Sequence, residues 1–129
     1  MIMAKVLIVG ASNRPERYSY KALTMLKDHG HDLFLQSPKY TNIEGHLVQK
    51  ELSEIQTSVD VLTLYVNPQI SDKMKDDILR LRPKLVIFNP GTENAYLMEA
   101  LESQNIKILE ACTLVLLSTG QFDQQIPAS

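Results

Sequence analysis

The chain has 129 residues, 44% of them hydrophobic and 22% charged, with a formal net charge of -2. That length supports one domain whose core needs no disulfide or metal, and the near-neutral charge argues against a protein that coats nucleic acid. A single cysteine, Cys112, excludes an intrachain disulfide and points to a reducing cytoplasm.

The opening MIMAKVLIVG carries one lysine and lacks the longer apolar stretch and cleavage site of a secretory signal; no other stretch approaches a membrane span. A cytoplasmic protein without a membrane segment is therefore expected. Residues 5–9, KVLIV, are the first of five short runs rich in Val, Ile and Leu, the pattern of strands buried on both faces of a parallel sheet. After Ser19, residues Ala22, Met25, Leu26 and His29 share a helical face, and Gly30 is placed to end that helix in the left-handed conformation. His29 and His31 read as surface histidines.

The second run is DLFLQ, residues 32–36. Pro38 to Ser58 holds HLVQ and ELSEI, each too short for a full helix, which predicts a loop, a brief strand and a helical turn. The third run is VDVLTLYV, residues 59–66. Ile70, Met74, Ile78 and Leu81 then recur at helical intervals between Pro68 and Pro83, predicting one helix, with Asp72, Asp76, Asp77, Lys73 and Lys75 on its solvated face. KLVIFN, residues 84–89, is the fourth run. Thr92 is the expected N-cap of a helix carrying Leu97, Met98 and Leu101. IKILEA, residues 106–111, completes the series, followed by Cys112, read as a buried small apolar group. The tail QFDQQIPAS lacks periodicity and apolar density and is expected to be loosely held over residues 123–129. The alternation predicts a Rossmann-like, doubly wound α/β fold with a mostly parallel, five- or six-stranded sheet and helices on both faces.

The turn after the first run reads VGASNRPERYS, residues 9–19. In an open α/β sheet ligands bind beyond the carboxyl ends of the strands, where strand order reverses, and this turn borders that crevice. Gly10 permits close backbone approach, and exposed amides at a helix start form an anion site. Arg14 and Arg17 add fixed charge and Ser12 and Ser19 add hydroxyls, which points to a phosphate or pyrophosphate. The stretch has one glycine where a dinucleotide fingerprint wants three, and it lacks the Gly-Lys-Ser/Thr ending of a P-loop. The alternative is a Gly10 that merely turns the chain, with both arginines facing water.

The second run ends in QSPKY, where NAD-binding folds place an acid that binds the ribose diol. Here Ser37, Pro38 and Lys39 supply a cation instead, suited to a phosphate on the ribose. NADP carries one on the 2′ oxygen and coenzyme A one on the 3′ oxygen. An ordinary solvated lysine is the plain alternative.

VGAS with PERYS, then SPKY with IEG, VDVLTLYVNP, NPGTEN and CTLV, in that order, resemble the small stand-alone CoA-binding proteins across Ala4 to Phe122. Their fold is similar to the CoA-binding domain of the succinyl-CoA synthetase α subunit. The resemblance implies a single CoA-binding domain over residues 1–122. It implies that the backbone and hydroxyl around Gly10, Ala11 and Ser12 meet the CoA phosphates, with Arg14, Arg17, Tyr18 and Ser19 closing over them. Pro38 and Lys39 would flank the adenosine and its 3′-phosphate, Val66, Asn67 and Pro68 the adenine side, and Asn89, Pro90 and Gly91 the pantetheine arm. Ser37 departs from the pattern, in which asparagine is commoner. The phosphohistidine and ligase domain of the synthetase have no counterpart, so that activity is not implied.

A catalyst acting on a thioester would need a nucleophile or an acid–base pair. Cys112, Glu93 and Asn94 near strand ends and His46 on a loop are the candidates, although Glu93 equally suits a helix dipole. The histidines have no metal-ligand spacing. The leading expectation is a protein that binds coenzyme A or an acyl-CoA without catalysis of its own. An NADP- or CoA-dependent enzyme subunit needing a partner comes second. Third is a CoA-responsive regulatory module, acting as a homo-oligomer or with an unknown protein partner, in which Tyr65, Tyr96 and Phe122 serve either an interface or the core.

Overall fold

Four consecutive residues, Val6 to Val9, are fully buried, as a strand with both faces covered requires. In the computed structural model, which describes residues 3–128, this is β1 (Lys5–Val9), the central strand of the sheet. Residues 1, 2 and 129, which the sequence reading assigned to the domain and its tail, lie outside the described residues. Then follow α1 (Tyr18–Asp28), β2 (Asp32–Gln36), β3 (Asn42–Ile43), β4 (His46–Gln49), a 3-10 turn (Leu52–Glu54) and β5 (Val61–Leu64). The second half holds α2 (Pro68–Asp72), α3 (Lys75–Leu81), β6 (Leu85–Phe88), α4 (Ala95–Ser103), β7 (Lys107–Glu110), α5 (Thr113–Ser118) and a 3-10 turn (Asp123–Gln125).

The sheet has seven strands in the order β3-β4-β2-β1-β5-β6-β7, parallel except for the β3–β4 pair. It is Rossmann-like, as expected, but larger than five or six strands. The addition is a hairpin in which Glu44 and Gly45 take positive φ, the two-residue turn that matches strand twist. His46 therefore stands on β4 and not in a loop.

Strand alternation divides the core. Val6, Ile8, Leu35, Val61 and Ile87 face α1 and α5, whereas Leu7, Val9, Leu62, Leu64, Val86 and Phe88 face α3, α4 and the first 3-10 turn. The outer strand β7 departs from the all-buried pattern, because it has a neighbour on one side only.

Two helix expectations change. The single helix over residues 68–81 is two, α2 and α3, joined through bonds of Lys73 N–H to Ile70 O and Met74 N–H to Ser71 O that tighten the turn between them. Ile70 is consequently exposed and lies outside the core. The N-cap of α4 is Asn94, whose Oδ1 accepts from Leu97 N–H; Thr92 instead donates its hydroxyl to Asn89 O.

The chain after Phe122 is held at several points. Phe122 is buried with its ring 5.2 Å from that of His31, Ile126 packs on the same core cluster, and Lys107 Nζ donates to Gln125 O. His31 is not a surface histidine. Its side chain is 1% exposed, and its Nδ1 accepts from Ala4 N–H at 3.0 Å.

Candidate functional site

Strand order reverses at β1, which has β2 on one side and β5 on the other. Beyond the carboxyl ends of these strands lies a cleft of about 650 Å³. Twelve of the residues expected at the site line it. The turn after β1 contributes Gly10, Ala11, Ser12, Arg14 and Arg17; α1 contributes Tyr18 and Ser19. The segment after β2 brings Pro38 and Lys39, that after β5 brings Val66 and Asn67, and Pro90 follows β6. Residues more than 70 positions apart in the chain thus meet because every parallel strand ends on the same side.

Gly10 has a different task from the one expected. With φ +88°, its missing Cβ would stand 2.8 Å from Val66 Cγ1, so glycine lets the turn pack against the end of β5. The amides of Gly10 and Ala11 both donate to Gln36 O, and Gln36 Oε1 accepts from Gly10 as well. These two amides hold β2 against the turn and are occupied.

Open donors and exposed cations begin further along. Helix α1 starts at Arg17 with no side-chain cap, and the amides of Tyr18 and Ser19 have no acceptor among the described residues. Its positive dipole end opens on the cleft. Asn67 and Asn94 cap α2 and α4, whereas α1, α3 and α5 begin without a side-chain cap from their N-cap residues; of these three uncapped starts, the cleft is lined by that of α1. Ser12 Oγ accepts from Arg14 N–H and shapes the loop. Arg14, Arg17 and Lys39 are all exposed at the cleft, and Arg14 lies 2.9 Å from Glu16. Ser37 is buried and accepts from Lys39 N–H, fixing the backbone from which the lysine projects.

Three expected residues do not line the cleft. Asn89 is buried: its Nδ2 donates to Thr63 Oγ1 and Leu64 O, and its Oδ1 accepts from Thr113 N–H. It locks β5, β6 and α5 together beneath the site. Pro68 opens α2 behind the rim, and Gly91 N–H donates to Glu93 Oε1. Asn94 Nδ2 is taken up by Ser71 Oγ and Asp72 Oδ1, each at 2.8 Å. Cys112 is half-buried at the start of α5 and outside the cleft lining.

Tyr40, Tyr65, Ile70, Thr92, Ser37 and Glu16 complete the lining. Five of these six stood within motifs quoted from the sequence, Ser37 and Tyr40 in SPKY, Glu16 in PERYS, Tyr65 in VDVLTLYVNP and Thr92 in NPGTEN, but apart from Ser37 none had been read as part of the site; Ile70 lay outside all of them. Tyr65 borders the cleft and packs against the core on the α1 and α5 side, where its buried hydroxyl has no hydrogen bond of good geometry among the described residues. Burial pushes its pKa up to about 12, so the phenol stays neutral.

A second recess, of about 300 Å³, opens beside β2 and β4, but its lining includes Glu54 and no lysine or arginine. The arginines and the lysine thus line the first cleft and not the second. Among the described residues no group of His, Cys, Asp or Glu is placed to hold a metal ion, and no helix is long and apolar enough to cross a membrane.

The profile of the CoA binding domain family matches residues 4–118. None of the curated proteins matches the chain. Among solved structures, an uncharacterized protein is 43% identical with a TM-score of 0.89, covering 95% of this chain and 100% of its own. A hypothetical protein from Pyrococcus horikoshii OT3 shares 24% identity at a TM-score of 0.85, with 91% of this chain and 83% of its own covered. An acetyl-coenzyme A synthetase of Ca. Korarchaeum cryptofilum, solved with phosphate and ADP, is 20% identical with a TM-score of 0.70. The alignment there covers 84% of this chain and 25% of the synthetase, a likeness of fold. With its profile match running nearly end to end, the chain belongs to the CoA binding domain family.

Proposed function

We propose that the cleft beyond β1, β2 and β5 holds coenzyme A or an acyl-CoA, and that the chain binds this ligand without catalysing a reaction on it. The observation that carries the reading is the convergence of Arg14, Arg17 and Lys39 on one cleft at the uncapped start of α1. A pyrophosphate would take the Tyr18 and Ser19 amides and the arginines, since amides at a helix start and guanidinium groups both favour multiply charged oxygens. Lys39 stands apart on the β2 side, suited to the separate phosphate on the ribose. The groups nearest to chemistry are otherwise engaged: Asn94 in a cap, Glu93 with Gly91 N–H, and Cys112 outside the lining.

The test is thermal melting with CoA, dephospho-CoA, acetyl-CoA, NADP and NAD at matched concentrations. At 100 times its Kd, a ligand specific for the native state adds about 2.7 kcal/mol of apparent stability. CoA is expected to raise the melting temperature more than dephospho-CoA, and Lys39→Ala to remove about 1–2 kcal/mol of the CoA effect while leaving dephospho-CoA unchanged. A larger shift with NADP than with CoA would move the assignment to a reductase subunit. No shift with any of the five would end the reading.

A further inference from the structure

One residue of the cleft has the wrong charge for an anion site. Among the described residues that line it, Glu16 is the single carboxylate, and it stands one position before the N-cap of α1. Its Oε2 lies 2.9 Å from Arg14 Nη2. The loop around it is shaped without it, through Arg14 N–H to Ser12 Oγ and Arg17 N–H to Arg14 O. Glu16's own N–H, together with Arg14 and Arg17, favours the ionised carboxylate, so Glu16 carries full charge at neutral pH.

We propose that Glu16 is a built-in counter-anion, which occupies Arg14 in the empty cleft and must yield when a ligand's phosphate arrives. The proposal rests on the reading of the cleft as a CoA site and names the residue that sets its affinity and charge selectivity. A carboxylate beside an incoming pyrophosphate repels it, and the Arg14–Glu16 contact has to break before the guanidinium can turn to the ligand. Both side chains are more than half exposed, at 57% and 60%, so exchange of one oxyanion for another needs no repacking. Exposure also makes the effect salt-dependent. In the empty protein Glu16 keeps two arginines from acting as an indiscriminate anion trap, and only a ligand with several negative charges displaces it profitably.

The experiment is calorimetric titration of the whole chain and of Glu16→Gln with CoA and, separately, inorganic pyrophosphate, at low and at high salt. Glu102→Gln, an exposed carboxylate on α4, is the control for net charge. Glu16→Gln is expected to bind both probes about 3- to 10-fold more tightly than the native chain at low salt, with the gain shrinking at high salt. In an Arg14→Gln background the gain from Glu16→Gln should fall, because the cation being released is gone. Equal or weaker binding by Glu16→Gln, or an equal gain with Glu102→Gln, would overturn the proposal. If the native chain binds pyrophosphate but not CoA, the CoA reading fails while the pyrophosphate series still decides the role of Glu16. If neither probe binds either protein, both fall.

Discussion

A methyl group at position 10 would stand 2.8 Å from Val66 Cγ1 and 3.2 Å from the Tyr65 carbonyl carbon, on a backbone with φ +88°. Gly10→Ala therefore combines a left-handed penalty with overlap at the end of β5, and is expected to cost about 2–4 kcal/mol. Urea unfolding checks this: the midpoint should fall with an unchanged slope, and a loss below about 0.5 kcal/mol would mean that the turn relaxes freely. That Gly10 matters was legible in the sequence, but its reason was not. A glycine at the head of VGAS reads as room for a phosphate, whereas here the room is filled by Val66, 56 positions later. Asn89 was misplaced for a related reason. It follows a strand, as ligand-binding residues do, but its three hydrogen bonds reach partners 24–26 residues away. The cations Arg14, Arg17 and Lys39 were legible because exposed charge next to strand ends stays at the surface wherever the sheet is built.

Among the elements, α2 depends on α4. Asn94 caps α4 through Leu97 N–H and reaches across to Ser71 and Asp72 of α2 with its Nδ2. Asn94→Ala is expected to cost about 2–3 kcal/mol, the loss of a cap together with a buried tie. Amide exchange should accelerate in α2 as well as in the first turn of α4; acceleration confined to α4 would show that α2 stands without it. Strands β1, β2, β5, β6 and β7 were legible from apolar runs, and burial on both faces leaves its continuous signature most plainly in β1, β5 and β6. Of the β3–β4 hairpin, HLVQ was legible as a brief strand followed by a helical turn, whereas its pairing with β3 was not, because a two-residue strand shows no period and Glu44–Gly45 is an unusual pair for the turn between them. The split between α2 and α3 was hidden by intervals that suit one helix. Ile70 keeps that period yet faces the cleft, a choice made by how α2 docks on α4 and not by periodicity.

At the scale of the molecule, His31 joins three distant parts: the start of β1 through Ala4, the end of α1 that precedes it, and the chain after Phe122. Its Nδ1 must be unprotonated to accept from Ala4 N–H, which directs the Nε2 proton toward Asp123 Oδ1 at 3.5 Å. Burial, with His29 adding a smaller push, holds its pKa below the ordinary 6.5 against the opposing pull of Asp123. The folded protein thus favours the neutral ring. Stability from this group is complete above pH 6.5 and is lost as pH falls through that value toward the lower folded pKa. Melting temperatures between pH 8 and 5 should decline on the acid side, and His31→Gln, whose amide oxygen still accepts from Ala4, should flatten the decline. Equal slopes in the two proteins would place the titration elsewhere. Through Phe122 and Ile126 the same arrangement binds a segment whose composition alone suggested a loose tail. The sequence by itself determined the alternation of strands and helices, the parallel sheet, the end at which the cleft lies and its positive charge. All of these follow from short-range patterns of burial and charge. Only the tertiary structure decided which amides remain open, which polar side chains are taken up inside, and that Glu16 stands against Arg14 at the mouth of the cleft. Those outcomes depend on where each group finds its partner once the chain is packed, and for Gly10, Asn89 and His31 that partner lies more than 20 residues away in the chain.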